Sequence, residues 1–190
     1  MYKRQVETNL KPLDNDKFGK PGVDGADQNI DLHVELAITP AGPMFTVNGN
    51  AYTPPSVPDL LQILSGTRNP QELLPNGTVI GVKRNKVIQV TMPAAMASGD
   101  VLPGAPHPIH MHGHTFAVVR SAGNATYNFV DPPLRDVVSL GDKKDDKVTI
   151  RFKTDNPGPW ALHCHIDWHL KLYVLSLCCG PVRVAHVYPW

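Results

Sequence analysis

The chain has no excess charge of either sign, no long apolar run and few cysteines. Its 18 lysines and arginines against 17 acidic residues give a net charge of +1, so we expect neither a nucleic-acid nor an anionic membrane partner. No run approaches the roughly 20 apolar residues of a membrane-spanning helix, and no apolar core follows Met1 to form a signal peptide. Only three cysteines are present and two are adjacent, so no disulfide framework can be inferred.

Turn-forming residues and short apolar runs are abundant instead. The 190 residues include 19 prolines and 15 glycines, and 42% are hydrophobic, which is enough for one core. Asn48-Gly49 predicts a hairpin turn, and residues 57–65 predict a short helix. Short β-type runs predict strands at 30–38, 44–47, 79–83, 86–92, 116–120, 127–130, 137–140 and 148–152. We therefore expect an all-β sandwich or barrel with one or two short helices.

Histidines are concentrated in two windows, 107–114 (HPIHMHGH) and 163–169 (HCHIDWH), which hold seven of the nine. On an extended chain, residues two apart face the same side, so His110 and His112 can share one metal site. His107 has the opposite parity and can serve a second site.

The same rule applies to the second window. His163 and His165 share a face, and Cys164 between them faces the other way. The two windows therefore predict two sites joined through one backbone.

The residue types suggest which metal these sites hold. His107, Cys164 and His169 would form a His₂Cys set, the arrangement of blue-copper electron-transfer sites. Zinc is the alternative metal, although structural zinc sites usually contain more cysteine. A histidine-rich loop that binds no metal is the remaining interpretation.

The residue sequence of both windows resembles the C-terminal copper-binding motifs of the multicopper oxidases, in particular fungal laccases. The similarity extends over about residues 7–170 and includes LLPNGTVI, RNKVIQV, TYNFVDPPLRDVV and VTIRF. It implies a cupredoxin-like Greek-key sandwich, the third domain of a laccase. It also implies oxidation of phenolic or aromatic-amine substrates, coupled to reduction of O2 to water.

The resemblance implies a role for each residue of the two windows. His107, Cys164 and His169 would bind the type 1 copper. Cys164 and His169 would be the ligands on the path by which electrons from the substrate enter and leave this copper. The other implied ligands are His110 for the type 2 copper, and His112, His163 and His165 for the paired type 3 coppers. Non-ligand roles are expected for His114, for Asp136 and Asp167 as hydrogen-bond partners of ligand imidazoles, and for Trp160 and Trp168 as packing residues.

The sequence departs from the family pattern at both ends. The family cluster uses eight histidines, four of them from an N-terminal cupredoxin domain, and this chain supplies the other four. We therefore interpret residues 1–29 as a truncated start and interdomain linker, and 30–170 as the copper-binding domain. Residues 171–190 are an atypical tail, either non-native or a substitute strand. When this sequence is aligned to the family pattern without gaps, Val174 falls at the position beside the type 1 copper.

Two further expectations follow from the sequence. The sequons at Asn76 and Asn124 are candidate glycosylation sites and suggest a secreted protein. Two other functions stay open: a stand-alone blue-copper electron carrier, and an inactive product of a disrupted laccase gene.

Overall fold

The computed structural model describes residues 6, 9–13, 18–40, 42–53, 55–66, 70–74, 76–97, 106–166 and 174–179. Within these ranges the chain forms short strands and two short helices. In chain order the elements are β1 (Gln28–Asp31), β2 (Val34–Thr39), β3 (Gly42–Val47), β4 (Asn50–Ala51), α1 (Asp59–Leu64), α2 (Pro70–Leu73), β5 (Val79–Val82), β6 (Val87–Pro93), β7 (Met96–Ala97), β8 (Pro108–Met111), β9 (Phe116–Arg120), β10 (Leu134–Arg135), β11 (Val137–Ser139), β12 (Lys147–Lys153), β13 (Gly158–Cys164) and β14 (Val174–Cys179).

Two five-stranded sheets make up the sandwich. Their strand orders are β1-β6-β12-β9-β10 and β11-β8-β13-β14-β5, and a smaller sheet has the order β4-β3-β2-β7. Most neighbours are antiparallel, and the parallel pairs are β1 with β6, β14 with β5 and β2 with β7. Val90 and Ile150 of the first sheet and Ile109 and Leu162 of the second belong to one buried core. The all-β class with short helices is confirmed.

The predicted strand at 30–38 is wrong as a single element. Its first part continues β1, and its second part is β2 in another sheet. The chain crosses between the sheets at Leu32 and His33, where the His33 amide donates to Asn48 Oδ1 at 2.8 Å and the Asn48 side chain donates to the Asp31 carbonyl at 3.0 Å. The alternation of buried apolar residues continues through this crossing, since Leu32 and Val34 are both buried. The sequence pattern therefore does not reveal it.

The predicted strand at 127–130 is also absent, and this segment is irregular. Asn128 Oδ1 accepts hydrogen bonds from the amides of Val130 and Asp131, each at 3.1 Å, which turns the chain. The helix predicted at 57–65 is confirmed as α1, whereas α2 was not predicted. Asn48 and Gly49 have φ angles of 49° and 76°, as a tight hairpin turn between β3 and β4 requires.

A strand is present in the atypical tail. β14 lies between β13 and β5, with Val174 opposite His163 and Leu177 opposite Trp160. Residues 171–173 and 180–190 lie outside the described residues, and so do Asp167, Trp168 and His169. Neither helix in the described part of the chain is long and apolar enough to cross a lipid bilayer.

Candidate metal centre

The two histidine windows lie on neighbouring strands of the second sheet. β8 carries the first window and pairs antiparallel with β13, which carries the second. His110 lies directly opposite His163, and Ile109 lies opposite Cys164. Directly opposed residues place their side chains on the same face of a sheet. Strand pairing therefore brings together residues that are far apart in sequence.

The alternation predicted from the sequence holds along both strands. Cys164 is fully buried and belongs to the hydrophobic core with Ile109 and Met111. His110 and His163 therefore point to the opposite face of the sheet. This face carries the imidazoles, and the core face carries the thiol.

The thiol contacts the His107 imidazole. Cys164 Sγ lies 3.6 Å from His107 Nδ1, and both side chains are buried. The His107 ring also meets the Phe45 ring edge-on, with centroids 5.4 Å apart. Burial raises the pKa of the Cys164 thiol, so the metal-free chain favours the neutral thiol. A bound cation reverses this preference because the thiolate is the metal ligand.

Four imidazoles form a cluster on the other face. The centroid distances are 4.9 Å from His110 to His112, 5.0 Å from His112 to His163, and 5.7 Å from His163 to His165. His112 Nε2 and His163 Nε2 are 2.9 Å apart. Nitrogen atoms at this separation can both be directed at one metal ion.

Backbone carbonyls orient two of these rings. His110 Nδ1 lies 2.8 Å from the Asp136 carbonyl, and His163 Nδ1 lies 2.8 Å from the Cys164 carbonyl. Because a carbonyl oxygen only accepts hydrogen bonds, both Nδ1 atoms carry the proton, which leaves the Nε2 lone pairs available. Such contacts hold metal-binding histidines in the required tautomer.

The cluster also favours neutral imidazoles. Burial, followed by the neighbouring histidines, lowers the pKa of His112 and of His163. Neutral imidazole is the form that binds a metal ion. The electrostatics of the cluster therefore prepare it for a cation.

These donors fit a soft or borderline metal ion, although neither set is complete within the described residues. No three His, Cys, Asp or Glu side chains there form a full metal-binding group. The third expected ligand beside His107 and Cys164 is His169, which is outside the described part. A thiol and imidazoles suit copper or zinc far better than the hard cations calcium and magnesium.

A family model described as multicopper oxidase matches residues 52–173, which include both histidine windows. The match covers more than half of the chain. The chain belongs to the multicopper oxidase family. The matched range contains β8 and β13, the two strands that carry the candidate metal donors.

Similar proteins include several fungal laccases. Laccase-2 of Pleurotus ostreatus is 51% identical over 168 residues, which are 88% of this chain and 30% of that protein. Laccase-1 of Trametes villosa is 52% identical over 167 residues, which are 87% of this chain and 31% of that protein. The crystal structure of laccase from Botrytis aclada matches with a TM-score of 0.69 and 27% identity, covering 95% of this chain and 32% of that chain. The sandwich is thus the cupredoxin fold, and the chain spans under a third of its curated relatives.

Asp136 contacts His110, a candidate ligand of this multicopper oxidase domain, in an unexpected way. The sequence suggested its carboxylate as the partner, whereas the structure uses its backbone carbonyl for His110 Nδ1. The same carbonyl accepts the Met111 amide at 3.0 Å. The side chain at position 136 is therefore free to vary without loss of this contact. The corresponding expectation for Asp167 lies outside the described residues.

His114 stands apart from the four-imidazole cluster. Its ring packs edge-on against Phe152 and Trp160, with centroids 5.3 and 5.9 Å away, and its Nδ1 lies 3.3 Å from the His112 carbonyl. Its Nε2 is buried and has no hydrogen-bond partner among the described residues. These contacts support a packing role beside the cluster, which agrees with the non-ligand role expected from the sequence.

Gly113 and Asn156 are site residues that the sequence analysis missed. Gly113 has φ +69°, and a Cβ there would collide with the Trp160 ring. Asn156 Nδ2 donates to the Gly113 carbonyl, and Trp160 Nε1 donates to the Asn156 carbonyl, each at 2.9 Å. Trp160 packs against the core, as predicted. The glycine within HMHGH was the available signal for this close approach.

The imidazole face is open. A cleft of about 390 Å³ lies over it. The residues that line this cleft are His110, Met111, His112, Gly113, His114, Thr115, Asp136 and Trp160. The His110 and His112 imidazoles are thus accessible to a ligand or to another protein surface.

Proposed function

We propose that this chain is the C-terminal copper-binding domain of a laccase-type enzyme, a benzenediol:oxygen oxidoreductase. The observation that carries the proposal is the position of Cys164. Its thiol contacts His107 on the core face, and its peptide neighbours His163 and His165 belong to the imidazole cluster. One short stretch of backbone thus connects a thiolate site with an imidazole site.

The proposed ligand roles follow this division. His107, Cys164 and His169 would hold the type 1 copper, His110 the type 2 copper, and His112, His163 and His165 the paired type 3 coppers. The cluster supplies four imidazoles, so we propose that an N-terminal cupredoxin domain of the same enzyme provides the other four across the open cleft.

The overall reaction balances electrons and protons. Four phenolic or aromatic-amine molecules each lose one electron and one proton, and one O2 is reduced to two water molecules. When bound, copper supplies the one-electron chemistry. The chain's own contribution is to bind and orient: the Asp136 and Cys164 carbonyls hold the Nδ1 protons of His110 and His163, and burial keeps water from the Cys164 thiol.

We also propose that the enzyme is secreted and glycosylated. Asn76 is exposed in a turn before β5, which supports its use as an acceptor. Asn124 is half-buried, and its Oδ1 accepts the Thr126 amide at 2.9 Å, so its Nδ2 is the atom left to carry a glycan. Intact-mass measurement of the secreted protein before and after glycosidase treatment tests both positions.

Copper titration of the reduced chain tests the copper assignment. Visible absorption and electron paramagnetic resonance should together show an intense blue species that saturates near one copper per chain. Added zinc should bind without this signature. Copper binding without a blue band would contradict the His₂Cys assignment.

The same titration separates the other functions. A stand-alone electron carrier would bind one copper, exchange electrons and show no O2 consumption even when the N-terminal domains are supplied. An inactive product would bind no copper at all. The laccase assignment requires phenol-dependent O2 consumption by the longer enzyme that contains this domain.

A further inference from the structure

A second cavity, of about 250 Å³, is lined by none of the histidines. It lies where the segment 18–22 crosses the outer side of β12. Its main lining residues are Phe18, Pro21, Val119, Phe129, Pro132 and Arg151. The walls are thus mostly apolar and aromatic, with one cationic group.

The cation is a buried arginine. Arg151 is only 1% exposed. Its Nε donates to Gln89 Oε1 at 2.8 Å, and its Nη1 donates to the Phe18 and Lys20 carbonyls at 3.4 and 2.7 Å. Nη2 donates to the Gly22 carbonyl. Four of its five N–H groups therefore have acceptors within the described residues, and the second N–H of Nη2 does not.

All of these acceptors are neutral. Among the described residues, no carboxylate lies within ion-pair distance of Arg151. Asp131, next to the cavity residues Val130 and Pro132, is paired with Lys11 at 2.5 Å instead. Buried charges are normally paired, and the described residues supply no countercharge for this guanidinium. An anionic ligand would supply it.

The size and walls of the cavity restrict the ligand further. A protein cavity of about 150 Å³ holds benzene, and drug-sized ligands occupy about 300–1,000 Å³. The volume here lies between the two, which suits one ring with a small polar group. The Arg151 guanidinium lies 4.5 Å from the centre of the Phe129 ring, and the Lys153 ammonium lies 5.3 Å from that of Phe18. The cavity therefore offers aromatic surface in a positive field.

We propose that this cavity binds a single-ring aromatic carboxylate. The carboxylate would accept the remaining Nη2 proton of Arg151, and the ring would pack between Phe18, Pro21 and Pro132. Charge-assisted hydrogen bonds to arginine are among the strongest in proteins, which favours a carboxylate over a neutral polar group. The proposal does not rest on the copper-dependent function, because none of these residues belongs to either histidine window.

Benzoate is a suitable probe because it has no phenolic hydroxyl and is not an electron donor for the proposed oxidase. Calorimetric titration of the chain with benzoate should show one saturable site. Benzamide has the same shape without the charge and should bind at least about tenfold more weakly. Acetate, which has the charge without the ring, should also bind at least about tenfold more weakly. Absence of saturable benzoate binding, or equal binding of benzamide, would overturn the proposal.

A variant at the rim locates the site without disturbing Arg151, whose replacement could unfold the chain. Val130 lines the cavity and is 91% exposed, so Val130→Trp should fold normally and obstruct the opening. Val57→Trp is the matched control, because Val57 is also exposed and does not line the cavity. We expect benzoate affinity to fall at least about tenfold in Val130→Trp and to stay unchanged in Val57→Trp. Equal affinities in the two folded variants would contradict this location.

Discussion

His112 and His163 bring their Nε2 atoms to within 2.9 Å of each other, although 51 residues separate them in sequence. His163 donates its Nδ1 proton to the Cys164 carbonyl, so its neutral ring accepts at Nε2 and His112 must donate there. In the metal-free chain one proton therefore lies between two nitrogen atoms. When His112 takes its other neutral tautomer, with the proton on Nδ1, both Nε2 lone pairs become available to a metal ion.

Loss of His112 should weaken copper binding at the imidazole cluster far more than loss of His114. Removing a partner of a ligand typically costs about 10- to 100-fold in affinity, and removing a ligand should cost more. We expect His112→Gln to exceed this range and His114→Gln to stay within about tenfold of the wild-type chain. A competition titration against a copper chelator measures both. Similar losses in the two variants would assign His114 a ligand role.

Substitution of the buried thiol should remove the blue copper signature. Cys164→Ser keeps the size of the side chain but replaces the sulfur that carries electron density to copper. Visible spectra of the copper-loaded chain should lose the intense blue band, whereas Cys178→Ser should retain it. A blue band that persists in Cys164→Ser and disappears in Cys178→Ser would show that Cys178, and not Cys164, is the copper ligand.

Gly113→Ala should destabilise the domain more than Gly123→Ala does. Both glycines have positive φ angles, 69° and 72°, so each alanine adds backbone strain of about 1–2 kcal/mol. At Gly113 the new methyl group also meets the Trp160 ring, whereas nothing lies within 4 Å of it at Gly123. Overpacking of this kind adds about 1–3 kcal/mol. Urea unfolding of the two variants measures the difference, and equal free energies of unfolding would show that the ring moves aside without cost.

Asp27 should contribute to the acid sensitivity of the fold. Hydrogen bonds from the Val87 amide and the Lys86 side chain lower the pKa of its carboxyl below the usual 3.8. Its contribution to stability is thus present above this value and is lost as the pH falls through the lower, folded-state pKa.

We expect Asp27→Asn to reduce stability at about pH 6 and to lose less additional stability between there and about pH 3 than the wild-type chain loses. Asp24→Asn removes the same charge from the same loop and serves as the control. Urea unfolding across this range measures both slopes. If the stability of Asp27→Asn falls with pH as steeply as that of the wild-type chain, groups other than Asp27 cause the acid sensitivity.

The metal-binding faces could be predicted from the sequence because they depend on local geometry alone. Period-2 alternation put His110 and His112 on one face of the first window, and put His163 and His165 opposite Cys164 in the second. The structure has Cys164 in the core and His163 on the other face, beside His110. The positions of the glycan acceptors and of His169 stay predictions. The hairpin at Asn48-Gly49 was also predictable, since few residues tolerate two successive positive φ angles.

Contacts between distant segments were not predictable in the same way. The strand at 30–38 is divided because the Asn48 side chain binds the backbone at Asp31 and His33, and the segment 127–130 turns because of Asn128. Asp136 orients His110 through its carbonyl, a group that every residue has. Side-chain identity alone does not indicate which of these contacts forms.

The sequence by itself determined the kinds of metal donor, their spacing and the face of the strand that each occupies, because these follow from residue type and the alternation of an extended chain. Only the tertiary structure decided that His112 meets His163, that His107 meets Cys164, and that β14 joins the sheet beside β13. The register between strands depends on the burial of the whole core, to which strands of both sheets contribute. The burial of Arg151 likewise exists only because a distant loop covers it.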